Sequence, residues 1–296
     1  MDPFSDSGEL YQIRKQFFSG QYLKATDHQL DSFSEPAVPK VREYILRSHL
    51  ILGNYEEVET GIQNIEDTDV SKSFELYTLF VKSNEKEPIE EFDDFLTNVT
   101  SDSEVITVLG SIYLARTGRI DEALKLLEKN SANNSMECIS IQIQLRILTN
   151  RLDLALKDIS NFSKIAQDDI VFNLTESWVN LLKGGSAYQS SFYFYEEISQ
   201  SNTSLKNLIC LLILNLQLHH LPESLEVIEQ LKTINELDVT NGDLLANQIT
   251  YYVLNGEFEK VDELREELIT QNSEHPYIVD YNEKVALFDD IVAKYH

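Results

Sequence analysis

The stretch VITVLGSIYLARTGRIDEALKLLE, residues 105–128, holds the pattern that decides the fold. Val105, Val108, Leu109 and Ile112 recur at i, i+3, i+4 and i+7, the spacing of one face of an α-helix. Gly118 then interrupts, and glycine reaches the left-handed backbone that ends a helix at little steric cost. A second helix resumes with Ala123, Leu124 and Leu127 on one side and Asp121, Glu122, Lys125 and Glu128 on the other. Ala123 stands one turn into that helix, where the two helices of a hairpin come closest, and its small side chain lets them pack. Ser101-x-x-Glu104 reads as a capping box that opens the unit.

Working outward, the same turn and the same modest residue five positions later recur along the chain. They read Gly20 and Ala25, Gly53 and Val58, Gly118 and Ala123, Asn150 and Ala155, Gly185 and Ser190, His219 and Ser224, and Gly256 and Val261. A degenerate copy, Asn84 and Ile89, fills the gap between the second and third of these. Successive turns lie 33, 31, 34, 32, 35, 34 and 37 residues apart, against a period of about 34 for tetratricopeptide helix-turn-helix repeats. Pro88, Pro222 and Pro276 fall at expected helix starts, where a missing N–H costs nothing. No segment shows sustained alternation bounded by hairpin signals.

The expected fold is therefore all-α: a right-handed α-solenoid of about eight helix-turn-helix repeats in a single domain over 1–296. Its units run roughly 7–34, 38–66, 70–98, 102–130, 134–166, 167–200, 203–236 and 240–272. A last helix over 275–295 is expected to cap the open end, because an exposed stacking face is apolar.

Composition narrows the function. Apolar residues are 42% of the 296, enough for a substantial interior, and only six prolines and ten glycines interrupt the helices. With 24 basic against 50 acidic residues the net charge is −26, the wrong field for phosphate backbones or for a charge-driven grip on anionic lipid. Cys138 and Cys210 lie far apart with no CxxC pair, which fits a reducing compartment. The opening residues carry no signal-peptide pattern, and the longest apolar run, Leu208 to Leu218, falls short of the about 20 residues a membrane span needs. A cytosolic protein without membrane insertion is expected.

No phosphate-binding loop, nucleophile elbow, zinc-protease motif or dinucleotide fingerprint occurs, so no catalytic residue, metal ligand or cofactor is expected. Adjacent His219 and His220 point about 100° apart on a helix and suit a turn better than a metal pair. A binding groove is expected instead. Positions 3, 6, 10 and 13 before each turn should face the concave side of the first helices. These are Val105, Val108, Ile112 and Ala115 in the fourth unit, and Phe172, Thr175, Val179 and Leu182 in the sixth. The seventh contributes Lys206, Ile209, Ile213 and Leu216. An apolar groove of this kind marks an interface with a long-lived protein partner. A chaperone-type adaptor that grips a peptide carboxylate is the alternative. It needs converging donors, whereas Arg14, Lys40, Arg47 and Lys206 are dispersed.

Longer strings add a more specific signal. Gly8-Glu9-Leu10-Tyr11 through Phe17-Phe18-Ser19-Gly20-Gln21-Tyr22 is one, and Ser135-Met136-Glu137-Cys138 leading to Asn150-Arg151-Leu152-Asp153-Leu154-Ala155 is another. Trp178-Val179-Asn180-Leu181 with Gly184-Gly185 and Ala187-Tyr188 is a third, and His275-Pro276-Tyr277-Ile278-Val279-x-Tyr281 with Phe288-Asp289 and Tyr295 a fourth. Together they resemble the epsilon-subunit family of coatomer, the COPI vesicle coat, over most of the chain. The second and third units depart from that pattern, being poorer in glycine and alanine and more acidic. The resemblance implies a structural coat protein that binds the C-terminal domain of the coatomer alpha subunit and meets the other subunits only indirectly. It also implies a role in Golgi-to-ER and intra-Golgi transport, with a place on Golgi membranes and COPI vesicles through the coat.

Overall fold

The computed structural model describes residues 8–83, 87–131, 135–164, 166, 168–234 and 241–295. Among them the regular structure is seventeen α-helices and two short 3-10 turns, without a strand. The helices come as antiparallel pairs: α1 (Tyr11–Phe18) with α2 (Tyr22–Thr26), and α3 (Val38–Ile51) with α4 (Tyr55–Gly61). Then follow α5 (Thr68–Lys82) and α6 (Glu90–Asn98), α7 (Glu104–Arg116) and α8 (Ile120–Ser131), α9 (Met136–Leu148) and α10 (Leu152–Phe162). The later elements are α11 (Ile170–Lys183), α12 (Ser186–Ser201), α13 (Leu205–Gln217), α14 (Leu221–Thr233), α15 (Gly242–Asn255) and α16 (Phe258–Gln271). The last is α17 (Pro276–Tyr295). The chain divides after Gly184 into two compact units, the first ending with α11 and the second beginning with α12.

Each turn is built by the same local chemistry. Gly20, Gly53, Gly118 and Gly256 have φ of 83°, 75°, 80° and 78°, and the two described turn positions without glycine, Asn150 and His219, are the only described non-glycine residues with positive φ, at 58° and 59°. In all six cases the next residue donates its N–H to a carbonyl five positions back. These bonds include Arg119 to Leu114 at 2.8 Å, Arg151 to Arg146 at 2.7 Å and His220 to Asn215 at 2.9 Å. That bond satisfies a helix-terminal carbonyl and reverses the chain. Three residues into the following helix, Ala25, Val58, Ala123, Ala155 and Ser224 are each 0% exposed and Val261 3%. The second helices of these hairpins thus start directly from the turn. The first helices α5, α9, α11, α13 and α15, which follow looser loops, are capped by the side chains of Asp67, Ser135, Asp169, Ser204 and Asn241.

Three local expectations are corrected. Ser190 is exposed, and Ser191, at 1%, is the buried small residue of α12. The cause is the double glycine: Gly184 (φ 74°) ends α11 and Gly185 (φ 61°) directly precedes α12, so the frame of the other turns does not apply. At the degenerate third turn Asn84 lies outside the described residues, and the packing residue of α6 is Phe92, fully buried, where Ile89 is only half-buried. No capping box opens α7. The helix starts at Glu104 with Ser103 as N-cap, so Glu104 is its first residue and not the third that a box from Ser101 needs, and its side chain goes to Lys40 and Ser135 instead.

The core of the first unit centres on Phe74, Phe80, Phe92 and Tyr113, with Phe92 stacked on Tyr113 at 4.3 Å and Phe80 edge-on to it at 4.8 Å. In the second unit Leu208, Leu212, Leu216, Val227 and Ile228 pack together, and Leu245, Ile249, Val261, Leu268 and Ile278 form a neighbouring cluster.

Two substitutions test this geometry. Ala123→Leu overpacks the α7–α8 corner and should cost about 1–3 kcal/mol in urea unfolding; an unchanged midpoint would show that the helices do not meet there. His219→Gly removes a side chain from left-handed backbone at an exposed position and should raise stability by about 1 kcal/mol.

Candidate partner-binding surface

The first helices of the first unit meet one another through charged side chains that come from distant repeats. Arg47 on α3 reaches Glu137 on α9 with two guanidinium nitrogens, one of them 3.0 Å from Oε2, and both side chains are buried. The Arg47 guanidinium also lies over the Phe17 ring at 4.7 Å. Lys40, two turns earlier on α3, donates to Glu104 Oε2 on α7 at 2.5 Å and to Glu43 at 2.8 Å. The Ser135 hydroxyl, which also caps α9, donates to the other oxygen of Glu104. Arg14 on α1 donates at 2.5 Å to Asp169, the cap of α11, whose side chain is 1% exposed. The Thr175 hydroxyl on α11 donates to Ser140 on α9 at 2.7 Å.

These contacts move the ionisation equilibria. Burial alone would raise the Glu104 carboxyl, but the Lys40 charge and the hydrogen bonds from Lys40 and Ser135 outweigh it and hold the group below its ordinary 4.5. Burial alone would depress the Lys40 ammonium, yet Glu104 and Glu43 hold it above its usual range. Burial pushes the Tyr44 phenol and the Cys138 thiol each up to about 12. A thiol so raised is a poor nucleophile at neutral pH.

The residues expected to line a groove therefore fall into two groups. Val105, Val108, Phe172, Thr175 and Val179 are buried in the first unit and Leu216 in the second, so none of these offers an open wall. Counting back from the turns selects the seams between neighbouring first helices, which their own neighbours cover. Ile112 and Ala115 in the first unit and Ile209 and Ile213 in the second are half-buried, and Leu182, at 52%, is exposed. Lys206 on α13 is half-buried, and burial lowers its ammonium below the ordinary value. The dispersed cations Arg14, Lys40 and Arg47 are spent on Asp169, Glu104 and Glu137, so they cannot also clamp a peptide carboxylate.

A cavity of about 210 Å³ in the second unit is lined mainly by Leu205, Leu231, Leu244, Leu245 and Leu264, below the about 300–1,000 Å³ usual for small-molecule sites. Among the described residues no three of His, Cys, Asp and Glu converge as a metal site, and no helix is long and apolar enough to cross a membrane. The sequence pattern alone misses one surface. On α17, Val285, Leu287, Phe288, Ile291 and Tyr295 are exposed by 41%, 55%, 65%, 45% and 86%. Their spacing along residues 285–295 is the available signal, but a helix expected to be a lid is expected to cover, not to lie uncovered.

Paired helices, left-handed turns and internally spent charges define an all-α helical-repeat protein. A family model described as "Coatomer epsilon subunit" matches residues 6–296, and the chain belongs to that family. It is 28% identical to the probable coatomer subunit epsilon of Schizosaccharomyces pombe, over 82% of this chain and 80% of the relative. It is 23% identical to coatomer subunit epsilon of Saccharomyces cerevisiae, over 97% and 98%, and 23% identical to that of Caenorhabditis elegans, over 96% and 98%. A solved tetratricopeptide repeat protein from Parabacteroides merdae is similar at 12% identity and a TM-score of 0.49, with 92% and 94% covered.

The Lys40–Glu104–Ser135 contacts predict a pH dependence. A carboxyl lowered on folding contributes stability that is fully present above the unfolded value near 4.5 and is lost as pH falls through the lower folded value. Urea unfolding of the wild type and of Glu104→Gln should thus differ most at neutral pH and converge in acid. A gap of the same size at both would refute the pairing.

Proposed function

We propose that the chain is a non-catalytic structural component of the COPI coat that binds the C-terminal domain of the coatomer alpha subunit. Through that contact it supports Golgi-to-ER and intra-Golgi vesicle transport, in the cytoplasm and peripheral to Golgi membranes. The observation that carries the reading is the family match over 6–296, almost the whole chain. The relatives named coatomer subunit epsilon are matched over nearly their full length, so the chain spans what they span.

The physical picture is compatible with a permanent coat component. Obligate interfaces are larger and more apolar than transient ones, and the half-buried Ile209 and Ile213 of α13 give the second unit an apolar face to lose from water. The first unit contributes Ile112, Ala115 and Leu182 as its accessible apolar residues from the expected set. The adaptor alternative is disfavoured by the ion pairs that consume Arg14, Lys40 and Arg47.

Co-expression with a tagged fragment spanning the C-terminal domain of the alpha subunit tests the proposal. The full chain should co-purify with it in stoichiometric amount, and the pair Ile209→Asp with Ile213→Asp should weaken capture at least about tenfold, a change of about 1.4 kcal/mol, while helix content is retained. Absence of capture would overturn the reading that alpha is the partner, and micromolar binding of a short acidic C-terminal peptide instead would promote the adaptor.

A further inference from the structure

The amino-terminal end of α17 is firmly seated. His275 is buried; its Nδ1 accepts the Tyr277 N–H at 3.2 Å, which leaves Nε2 to donate to Asp243 at 3.2 Å. A side chain on Gly242 would come within 2.9 Å of that imidazole, so α15 approaches it through a residue without one. Ile278 is 1% exposed among Leu245, Ile249, Val261 and Leu268, and Arg265 of α16 lies over the Tyr281 ring at 4.3 Å.

Beyond Tyr281 the helix leaves its support, and every residue from 282 to 291 is exposed. At 100° per residue, Tyr281, Val285 and Phe288 form one stripe, continued by Tyr295 and widened by Leu287 and Ile291. The stripe is the continuation of the buried face that begins at Ile278. In the two preceding pairs of this unit, α13 with α14 and α15 with α16, a second helix covers the first. The α17 helix stands where the first member of a further pair belongs, and among the described residues no helix covers it.

What surrounds the stripe selects its occupant. Asp289 borders it on one side and Glu283 on the other, with Lys294 at the far end of that second border; Asp290 stands on the opposite face, and Lys284, which lies within the stripe, is neutralised by Asp280 at 3.0 Å. Neighbouring α16 exposes Glu259, Asp262, Glu263, Glu266 and Glu267. A second copy of this chain would bring the same acidic borders and a net charge of −26, and an anionic lipid surface would be repelled in the same way. Opposite potentials favour encounter and like ones disfavour it.

We infer that the uncovered face of α17 docks a basic amphipathic helix from another protein, which completes the open helical pair in trans. Its apolar residues at i, i+3, i+4 and i+7 cover Val285, Leu287, Phe288 and Ile291, and its Lys or Arg residues meet the acidic borders. This surface is separate from the α13 face assigned above to alpha and does not depend on that assignment.

The test uses the full chain and a labelled helical peptide with Leu at heptad a and d positions and Lys at e and g, beside a twin with Glu in place of Lys. The Lys peptide should bind, more weakly as NaCl is raised, and the Glu twin should not. The exposed substitutions Leu287→Asp, Phe288→Asp and Ile291→Asp together should weaken binding at least about tenfold with the melting temperature unchanged, and Phe288→Asp alone should give a smaller loss. Equal binding of both peptides, or binding indifferent to the substitutions, overturns the inference. So does a dimer in sedimentation that the triple variant dissolves, which would make a second copy the occupant, or flotation with anionic vesicles that it abolishes, which would make it lipid. Capture of the alpha fragment by the triple variant, measured in parallel, reports on the other reading alone.

Discussion

The constraint on which the rest depends is the contact between two backbones at each hairpin corner. A helix that ends in a left-handed residue is turned back within two residues, and the returning helix must pass its partner one turn later. Whatever side chain stands there has only the gap between two helical backbones to occupy. Alanine and serine fill it at Ala25, Ala123, Ala155 and Ser224, and the compact valines do so at Val58 and Val261. The turn is equally demanding: where glycine is missing, Asn150 and His219 adopt positive φ all the same. The bond to the carbonyl five residues back, and the packing beyond it, outweigh the cost of about 1–2 kcal/mol that a β-carbon pays in that region.

A second layer of organisation is imposed across the first unit by charge. Apolar side chains go to the seams between helices of the same and of neighbouring repeats, and first helices of more distant repeats are joined through Arg14, Lys40 and Arg47 with Asp169, Glu104 and Glu137. Such pairs contribute little net stability against burying hydrocarbon of the same volume, because both ions surrender hydration. What they contribute is discrimination. A slip of one turn between α3 and α9 would leave Arg47 buried without Glu137, and an unpaired buried charge is far more expensive than a lost apolar contact. The cations Arg14, Lys40 and Arg47 are matched by Asp169, Glu43, Glu104 and Glu137, so most of the surplus of acid in a chain of charge −26 is carried elsewhere, mainly by its surface.

This division explains what the sequence made legible. The turn positions, the buried residue five places on and the alternation of first and second helices all depend on neighbours in the chain, so they repeat with the period. The double glycine at Gly184 and Gly185 breaks that frame locally, and the buried serine of α12 moves with it. The ion pairs join residues 64, 90 and 155 positions apart and have no period, so Glu104 reads as a capping residue when its partner is Lys40. The buried members of the expected groove are hidden from the pattern for a related reason. An apolar residue on a first helix announces that something covers it, but Val105 and Val108 do not say whether the cover is a partner or the next helix of the same chain.

The same ambiguity, reversed, gives α17 its interest. A helix that leaves a broad apolar stripe uncovered would ordinarily drive a protein to associate with itself, since the hydrophobic effect does not choose partners. Here the choice is made by the charge around the stripe. Acidic borders and an acidic exterior oppose the approach of an identical copy from about a Debye length inward, near 8 Å at physiological salt, and the apolar residues begin to count only near contact. A basic helix is drawn in over that same distance and then held by the burial of Phe288, Leu287 and Ile291. Steering and anchoring thus fall to different residues of one helix, so a repeat scaffold with an open last pair need not aggregate in order to remain available.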